Sequence, residues 1–212
     1  DNKPSNAVEA FDPLTGQWQR LAPLPTARWQ AGAAEVGGKV YVIGGRTGKN
    51  DLSDVVEAYD VRANTWAARG KAPFKRAALA AVSMGSVIYV LGGETKDVGV
   101  SFLSVKSGEQ VTAEYDPVGD RWASKAPAPT GRFGPAAVAV GRKIYVFGGL
   151  VGTSLMRSPA RHYDVYDQGA DRWLGGQSMP RGRANHAAAF AGNRVYVIGG
   201  SGDGGMLVDE LR

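Results

Sequence analysis

A strand-like segment that ends in two glycines occurs four times in this chain. The copies are KVYVIGG (39–45), VIYVLGG (87–93), KIYVFGG (143–149) and RVYVIGG (194–200). The first glycines of successive copies are 48, 56 and 51 residues apart. A period of this length predicts a supersecondary unit repeated along the chain, and such units bury their apolar faces against their neighbours.

Other residue types repeat in register with the glycine pairs. Four tryptophans each lie 26 residues before a pair: Trp18, Trp66, Trp122 and Trp173. An aromatic residue followed by aspartate precedes each tryptophan by seven residues: Phe11-Asp12, Tyr59-Asp60, Tyr115-Asp116 and Tyr166-Asp167. Four arginines each lie 16 residues before a pair: Arg28, Arg76, Arg132 and Arg183. We call these four residues the arginine column.

Each unit reads as four short strands. In the first, AGAAEV (31–36) and Val40–Ile43 flank the tight turn GGK, VVEAYD (55–60) follows a variable loop, and a last strand surrounds the tryptophan. Helical periodicity is missing. Four-stranded sheets packed face to face around an axis would bury both faces of each, so we predict an all-β propeller. Glycines would then permit close backbone approach, aromatics would fill the space between blades, and the aspartates would cap turns.

Composition excludes several classes of protein. The chain has no cysteine, so disulfides and thiolate chemistry are absent, and no apolar run is long enough for a membrane-spanning helix. Its net charge of +5 is the excess of 25 Lys and Arg residues over 20 Asp and Glu residues, and the basic residues are scattered rather than gathered in a nucleic-acid-binding tail. No cofactor fingerprint or metal-ligand spacing occurs. We therefore expect no cofactor, metal, nucleic acid or membrane partner, and the compartment stays open.

The pattern Arg-x15-Gly-Gly, Tyr-Asp, Trp resembles the kelch repeat, whose family forms β-propellers. The resemblance covers nearly the whole chain as one domain, residues 1–212, with whole blades at about 25–68, 73–124 and 129–175. Residues 7–19 match only the last two strands of a blade, and residues 181–212 only the first two. We expect the N-terminal outer strands to complete the C-terminal blade, giving four blade equivalents.

Four blades depart from the resembled family, in which rings usually have six or seven. Three arrangements therefore remain open. One chain closes a four-bladed ring, two chains exchange blade halves in an eight-bladed homodimer, or the sequence is a piece of a longer chain.

One face of the predicted propeller collects the arginine column and the loops that follow the glycine pairs. In resembling kelch domains this loop face binds partners, and the residues after the arginines line it. The resemblance implies these candidates: Trp29, Gln30, Phe133, Asn185 and His186. The blade of Arg76 offers only Ala77 and Ala78 there. The loops add Arg46, Lys49, Asp51, Glu94, Lys96, Asp97, Arg157, Arg161, His162 and Asp203.

The arginine column has two interpretations. The side chains could brace neighbouring blades, or they could form a ring of guanidiniums that contacts an anion. Acidic residues Glu9, Glu57 and Asp164 stand two positions before the aromatic column, and we interpret them as a solvated strand face. Trp29 lies outside the tryptophan column, so packing periodicity does not require it.

The sequence has only weak signals for catalysis. We consider three functions, in order of preference. The first is a non-catalytic binding module whose loop face holds a protein segment or a glycan carrying acidic groups. The second, by resemblance to kelch-type sialic acid mutarotases, is a sugar-modifying enzyme in which Glu94, Asp97 or His162 moves a proton. The third is a structural or assembly domain of a larger protein.

Overall fold

The computed structural model describes residues 3–48, 51–95, 108–153 and 156–202. They form an all-β fold of antiparallel sheets. An N-terminal hairpin has strands β1 (Glu9–Asp12) and β2 (Gln17–Arg20). Blade 1 comprises β3 (Gly32–Val36), β4 (Lys39–Ile43), β5 (Val56–Asp60) and β6 (Thr65–Ala68). Blade 2 comprises β7 (Ala80–Met84), β8 (Val87–Leu91), β9 (Thr112–Asp116) and β10 (Arg121–Ser124).

The third repeat contains an extra hairpin. Strands β11 (Ala136–Val140), β12 (Lys143–Phe147), β15 (His162–Asp167) and β16 (Arg172–Ser178) form blade 3, and β13 (Leu150–Thr153) pairs with β14 (Met156–Pro159) between its second and third strands. The last repeat supplies the pair β17 (Arg183–Ala184) and β20 (Ser201–Gly202), and the pair β18 (Ala187–Ala191) and β19 (Arg194–Ile198). No helix in the described part of the chain is long and apolar enough to cross a membrane.

The apolar core lies between neighbouring blades, as expected for blades packed around an axis. Blades 1 and 2 enclose one cluster, which includes Tyr41, Ile43, Val56, Leu79, Ile88, Val90 and Tyr115. Blades 2 and 3 enclose a second, which includes Tyr89, Leu91, Ile144, Val146 and Tyr166. Four-stranded sheets that pack face to face in this way are the arrangement of a β-propeller.

The glycine pairs are where one blade is joined to the next. A Cβ on Gly44 would lie 2.7 Å from the carbonyl oxygen of Arg76, and the Gly45 N–H donates to that same oxygen at 2.7 Å. The corresponding bonds from Gly93 to Arg132 and from Gly149 to Arg183 measure 3.0 and 2.9 Å. The first glycine must therefore lack a side chain, because the next blade's main chain occupies that space.

The aspartate column caps turns as predicted. The side chain of Asp60 accepts hydrogen bonds from the N–H groups of Arg62 and Ala63, both at 3.0 Å. The bond from Ala63 makes the largest contribution to lowering the pKa of this exposed carboxyl. Equivalent turns follow Asp12, Asp116 and Asp167.

The two ends of the chain form separate two-stranded sheets. Strand β19 pairs only with β18 among the described residues, and β1 pairs only with β2. Large apolar side chains on both sheets are exposed: Phe11, Trp18, Phe190, Tyr196 and Ile198. The described residues thus do not contain the expected four-stranded composite blade, and ring closure stays a prediction.

Candidate functional site

Members of the arginine column hold their own blade together. The Arg28 guanidinium is fully buried, donates to the Val55 carbonyl at 2.9 Å, and forms an ion pair with Glu57. In blade 3, Arg132 donates to the Gly148 carbonyl at 2.9 Å and pairs with Asp164. Burial lowers the pKa of both arginines, and the paired carboxylates oppose that change. These contacts favour the bracing interpretation, although the two side chains act within a blade and the main-chain groups of the arginine column join neighbouring blades.

The prediction that the acidic column is a solvated strand face is wrong for Glu57 and Asp164. These residues are only 4% and 5% exposed, because they lie beneath the arginines of their own blades. Glu57 also accepts a hydrogen bond from the Thr26 hydroxyl at 2.9 Å. Only Glu9, in the N-terminal hairpin, is exposed. The acidic column therefore serves as the counter-charge of the arginine column.

Blade 2 lacks this counter-charge because Ala113 occupies the acidic position. The Nε and Nη1 atoms of Arg76 are buried and have no hydrogen-bond partner. Its nearest carboxylate belongs to Glu109, at 3.7 Å, and its guanidinium stacks over the ring of Phe74 at 4.9 Å. Arg76 is thus the least satisfied of the buried arginines in the described structure.

Two sets of main-chain contacts build the inner rim of the loop face. In each repeat the residue after the arginine bridges to the residue after the glycine pair: Trp29 to Arg46, Ala77 to Glu94, Phe133 to Leu150, and Ala184 to Ser201. The next residue in each repeat has positive φ: Gln30, Ala78, Gly134 and Asn185. The main chains of these four residues are linked one to the next. The N–H groups of Ala78, Gly134 and Asn185 each donate to the carbonyl of the residue before it in this series, at 2.7–2.9 Å.

Side chains from three repeats meet above this rim. Arg46 of blade 1 pairs with Glu94 of blade 2 at 2.7 Å, and the other Glu94 oxygen lies 3.7 Å from Arg157, on the extra hairpin of blade 3. Each guanidinium also covers an aromatic ring, since Arg46 lies 5.8 Å from Trp29 and Arg157 lies 4.5 Å from Phe133. We call these five residues the rim cluster. It spans three repeats with alternating aromatic, cationic and anionic groups.

The rim cluster carries one net positive charge, because two guanidiniums face one carboxylate. Arg46 and Glu94 are buried, whereas the Arg157 side chain is 29% exposed and Trp29 is partly exposed. Gln30 joins the cluster by accepting a hydrogen bond from Arg46 at 3.2 Å. The surface therefore presents a cation and part of an aromatic side chain to solvent, next to a buried ion pair.

Of the predicted binding residues, the structure brings six together: Trp29, Gln30, Arg46, Glu94, Phe133 and Arg157. Arg161 instead donates to the Pro180 carbonyl at 2.6 Å. Asn185 takes part in the main-chain links of the rim. Asp51 lies in the exposed loop of blade 1, where its carbonyl accepts from Thr47. The candidates Lys49, Lys96, Asp97 and Asp203 lie outside the described residues.

The surroundings of both histidines lower the pKa of the ring, which favours its neutral form. His186 packs against Gly148 and Gly200, in the column position that Leu79 occupies in blade 2, and neither ring nitrogen has a hydrogen-bond partner. Burial, followed by the nearby charge of Arg183, lowers its pKa to about 4. His162 lies 2.8 Å from Arg132, and burial is the main cause of its lowered pKa.

Sequence reasoning missed two parts of this site. The hairpin of β13 and β14, which carries Arg157, was read only as a variable loop. The pairing of the arginine and acidic columns was also missed, although a signal was present: both columns are filled in blades 1 and 3, and the acid is missing only in blade 2. No group of three or more His, Asp or Glu residues in the described ranges is placed to hold a metal ion.

Comparisons with known proteins agree with the repeat pattern. Residues 1–149 match the family described as KLHDC2/KLHL20/DRC7 Kelch-repeats domain, and residues 131–180 match the Kelch motif. The chain is 31% identical to Kelch-like protein 25 of Xenopus tropicalis over 84% of its length and 28% identical to Kelch-like protein 38 of Homo sapiens over 91%. It is 26% identical to human Kelch repeat and BTB domain-containing protein 12 over 92%. The matched regions cover 30%, 32% and 25% of these relatives, so the chain spans a third of their length or less.

Proposed function

Because the chain belongs to the kelch-repeat family, we propose that it is a non-catalytic interaction module that holds a segment of a partner protein on its loop face. The rim cluster is the observation that carries this proposal. Arg157 and Trp29 belong to the residue types that most often dominate binding energy at protein interfaces. They are fixed in place by the buried pair of Arg46 and Glu94, so little conformational entropy would be lost on binding.

The charge of the rim cluster supports an acidic partner segment. Glu94 neutralises only one of the two guanidiniums, and the more exposed one, Arg157, has N–H groups left to donate. A carboxylate could approach Arg157 in a bidentate geometry while an apolar side chain packs against Trp29. A glycan bearing carboxylates would present the same charge. We favour a peptide, because an extended segment can contact all three repeats at once.

The proposal is tested with arrays of short acidic peptides, the same peptides with Asp and Glu replaced by Asn and Gln, and carboxylated and neutral glycans. We expect binding to acidic peptides only. Trp29→Ala and Arg157→Ala should each weaken it roughly tenfold or more, which corresponds to about 1.4 kcal/mol at an interface hot spot.

The matched control is Arg142→Ala, since Arg142 is an exposed arginine in the tight turn between β11 and β12, on the opposite face. Affinity that is unchanged in the Trp29 and Arg157 variants, or weakened equally by Arg142→Ala, would refute a site at the rim cluster. Selective retention of carboxylated glycans would replace the peptide with a sugar ligand.

The sugar-modifying alternative gains no specific support from the described residues. Both Glu94 oxygens face guanidiniums, and the His162 Nε2 faces Arg132. The two candidate proton carriers in the described ranges, Glu94 and His162, are thus already engaged with arginines of their own chain, and Asp97 lies outside those ranges.

A further inference from the structure

The buried guanidinium of Arg76, in blade 2, is a cation without a close counter-ion. Arg76 is only 7% exposed, and its Nε and Nη1 atoms have no hydrogen-bond partner in the described structure. Arg28, at the same position of blade 1, leaves only Nε without a partner. Burial lowers the pKa of Arg76, but an arginine side chain stays protonated in proteins. Blade 2 therefore contains a buried positive charge at neutral pH.

The nearest carboxylate compensates this charge poorly. The Glu109 Oε2 atom lies 3.7 Å from the Arg76 Nη2 atom, which is longer than a hydrogen bond. The Glu109 side chain is 29% exposed, and its other oxygen accepts a hydrogen bond from the Thr95 hydroxyl at 3.1 Å. Ion pairs that are open to solvent contribute little stability. Glu109 therefore leaves most of the cost of the buried cation in place.

Two departures from the repeat pattern create this difference between the blades. Ala113 stands where Glu57 stands in blade 1, and Phe74 stands where Thr26 stands. In blade 1 the Thr26 hydroxyl and the Arg28 guanidinium both donate to Glu57. In blade 2 the acceptor is missing, and the ring of Phe74 lies against the guanidinium, with 4.9 Å between the ring centroid and the Cζ atom. Blade 2 thus keeps the donor of this ion pair and lacks the acceptor.

A second unpartnered donor lies on the same face of blade 2. Ala113 and Tyr115 are two residues apart on β9, so their side chains share a face, and Tyr115 is directly opposite Trp122 on β10. The Trp122 Nε1 atom is buried without a hydrogen-bond partner among the described residues, and its ring packs against Phe74 at 5.4 Å. The equivalent nitrogen of Trp66 donates to a main-chain carbonyl at 2.8 Å. The unpartnered atoms described on Arg76 and Trp122 are therefore all N–H donors.

We propose that blade 2 binds a small monovalent anion, a halide or a small carboxylate such as formate, at the unpartnered N–H groups of Arg76. Donors that surround a positive charge and include no acceptor are complementary to an anion. A water molecule can accept from the same groups, but it leaves the buried charge uncompensated. The burial of Arg76 limits the ligand to a few atoms. The anion takes the part that Glu57 and Asp164 play in blades 1 and 3.

Thermal unfolding at constant ionic strength, with sodium chloride replacing sodium gluconate, tests the site in solution. We expect the unfolding midpoint of the unmodified chain to rise along a saturating curve, because a ligand that binds only the folded chain stabilises it. Gluconate is the reference anion because it is too large for a buried site. A parallel titration with formate shows whether a small carboxylate saturates the site at a lower concentration than the halide does.

Two variants remove the site in opposite ways. R76L removes the cation, whereas F74T/A113E supplies the threonine and the glutamate that blade 1 has, so the cation gains an internal partner. Both variants should lose the chloride-dependent rise. The matched control R142L removes an exposed arginine on the opposite face and should keep the full rise. A rise that persists in R76L or in F74T/A113E would overturn the proposal, and so would an unmodified chain that does not respond to chloride or formate.

Bromide gives a direct measurement that needs no variant. Crystals of the unmodified chain soaked in bromide should show a peak of anomalous scattering in contact with the Arg76 nitrogens. Peaks found only at exposed arginines such as Arg142 would mark an adventitious ion only, and they would count against a site in blade 2 whatever the unfolding titration gives.

Discussion

At the scale of single residues, aligned positions of the repeat have different energetic roles. Arg28 and Arg76 occupy the same column and are both buried. The Arg28 guanidinium contacts one carboxylate and two carbonyls, whereas two donor atoms of the Arg76 guanidinium have no hydrogen-bond partner. An unpaired buried charge is costly, whereas a charge whose partner remains in place is costly to remove. The same substitution should therefore cost much less stability at Arg76 than at Arg28.

We expect Arg28→Leu to lower the free energy of unfolding by about 3–5 kcal/mol, because it leaves Glu57 buried without its counter-charge. Arg76→Leu should change it by less than about 1 kcal/mol or raise it, because the guanidinium that it removes is poorly satisfied. Urea-induced unfolding of both variants measures the difference. An equal decrease in the free energy of unfolding for the two variants would contradict this prediction.

His186 gives the C-terminal half-blade a dependence on pH. Its pKa in the folded chain is lowered from 6.5 to about 4, by burial first and by Arg183 second. The neutral form is thus favoured by folding, so its contribution to stability is complete above about pH 6.5 and declines as the pH falls towards 4. Asp164, a buried carboxylate of blade 3, is paired with Arg132.

The matched variant is His186→Leu, which installs the residue type found at the equivalent position, Leu79. We expect the unmodified chain to lose stability relative to this variant between pH 6.5 and 4, and the two curves to run parallel above that range. Thermal unfolding at several pH values gives both curves. If the two stability curves ran parallel over the whole pH range, folding would not lower the pKa of His186.

At the scale of elements, the first glycine of a pair is constrained by its positive φ and by the main chain of the next blade. A matched pair of substitutions can separate these two constraints. Gly85, in the turn between β7 and β8, and Gly92, at the end of β8, have φ of 61° and 64°. A Cβ on Gly85 would meet nothing within 4 Å, whereas one on Gly92 would lie 2.5 Å from the Arg132 carbonyl oxygen. Only Gly92 therefore carries the constraint imposed by the neighbouring blade.

We expect Gly85→Ala to cost about 1–2 kcal/mol, which is the cost of a left-handed conformation alone. Gly92→Ala should cost more than this, because it must also displace the main chain that joins blades 2 and 3. Denaturant unfolding of the two variants gives the difference. Equal costs would show that the junction between blades can shift without loss.

The sequence predicted most elements of each blade because alternation and turn residues act locally. The second-strand segment Val40–Ile43 is contained in β4, and the third-strand segment 55–60 contains β5. The hairpin of β13 and β14 was not predicted, because its segment has neither clear alternation nor a Gly-containing two-residue turn between strands. It matters for the site, since it carries Arg157 to Glu94.

At the scale of the whole molecule, the blades are similar but their surroundings differ. The aromatic pair Tyr115 and Trp122 lies between blades 1 and 2, and Tyr115 is fully buried, whereas the equivalent Phe11 is 49% exposed. The difference arises because, within the described part of the chain, no blade packs against Phe11.

The sequence by itself determined the family, the repeat, the four strands of each blade and the face on which the variable loops lie. These follow from local periodicity and from spacing along the chain, which tertiary contacts do not alter. Only the tertiary structure decided that Glu57 and Asp164 are buried partners of arginines and that Arg46, Glu94 and Arg157 meet across three repeats. Glu57 and Asp164 meet their arginines inside one blade, and the rim cluster joins three repeats. Both depend on distances in space between residues that are far apart in the sequence, which the spacing of a repeat does not give.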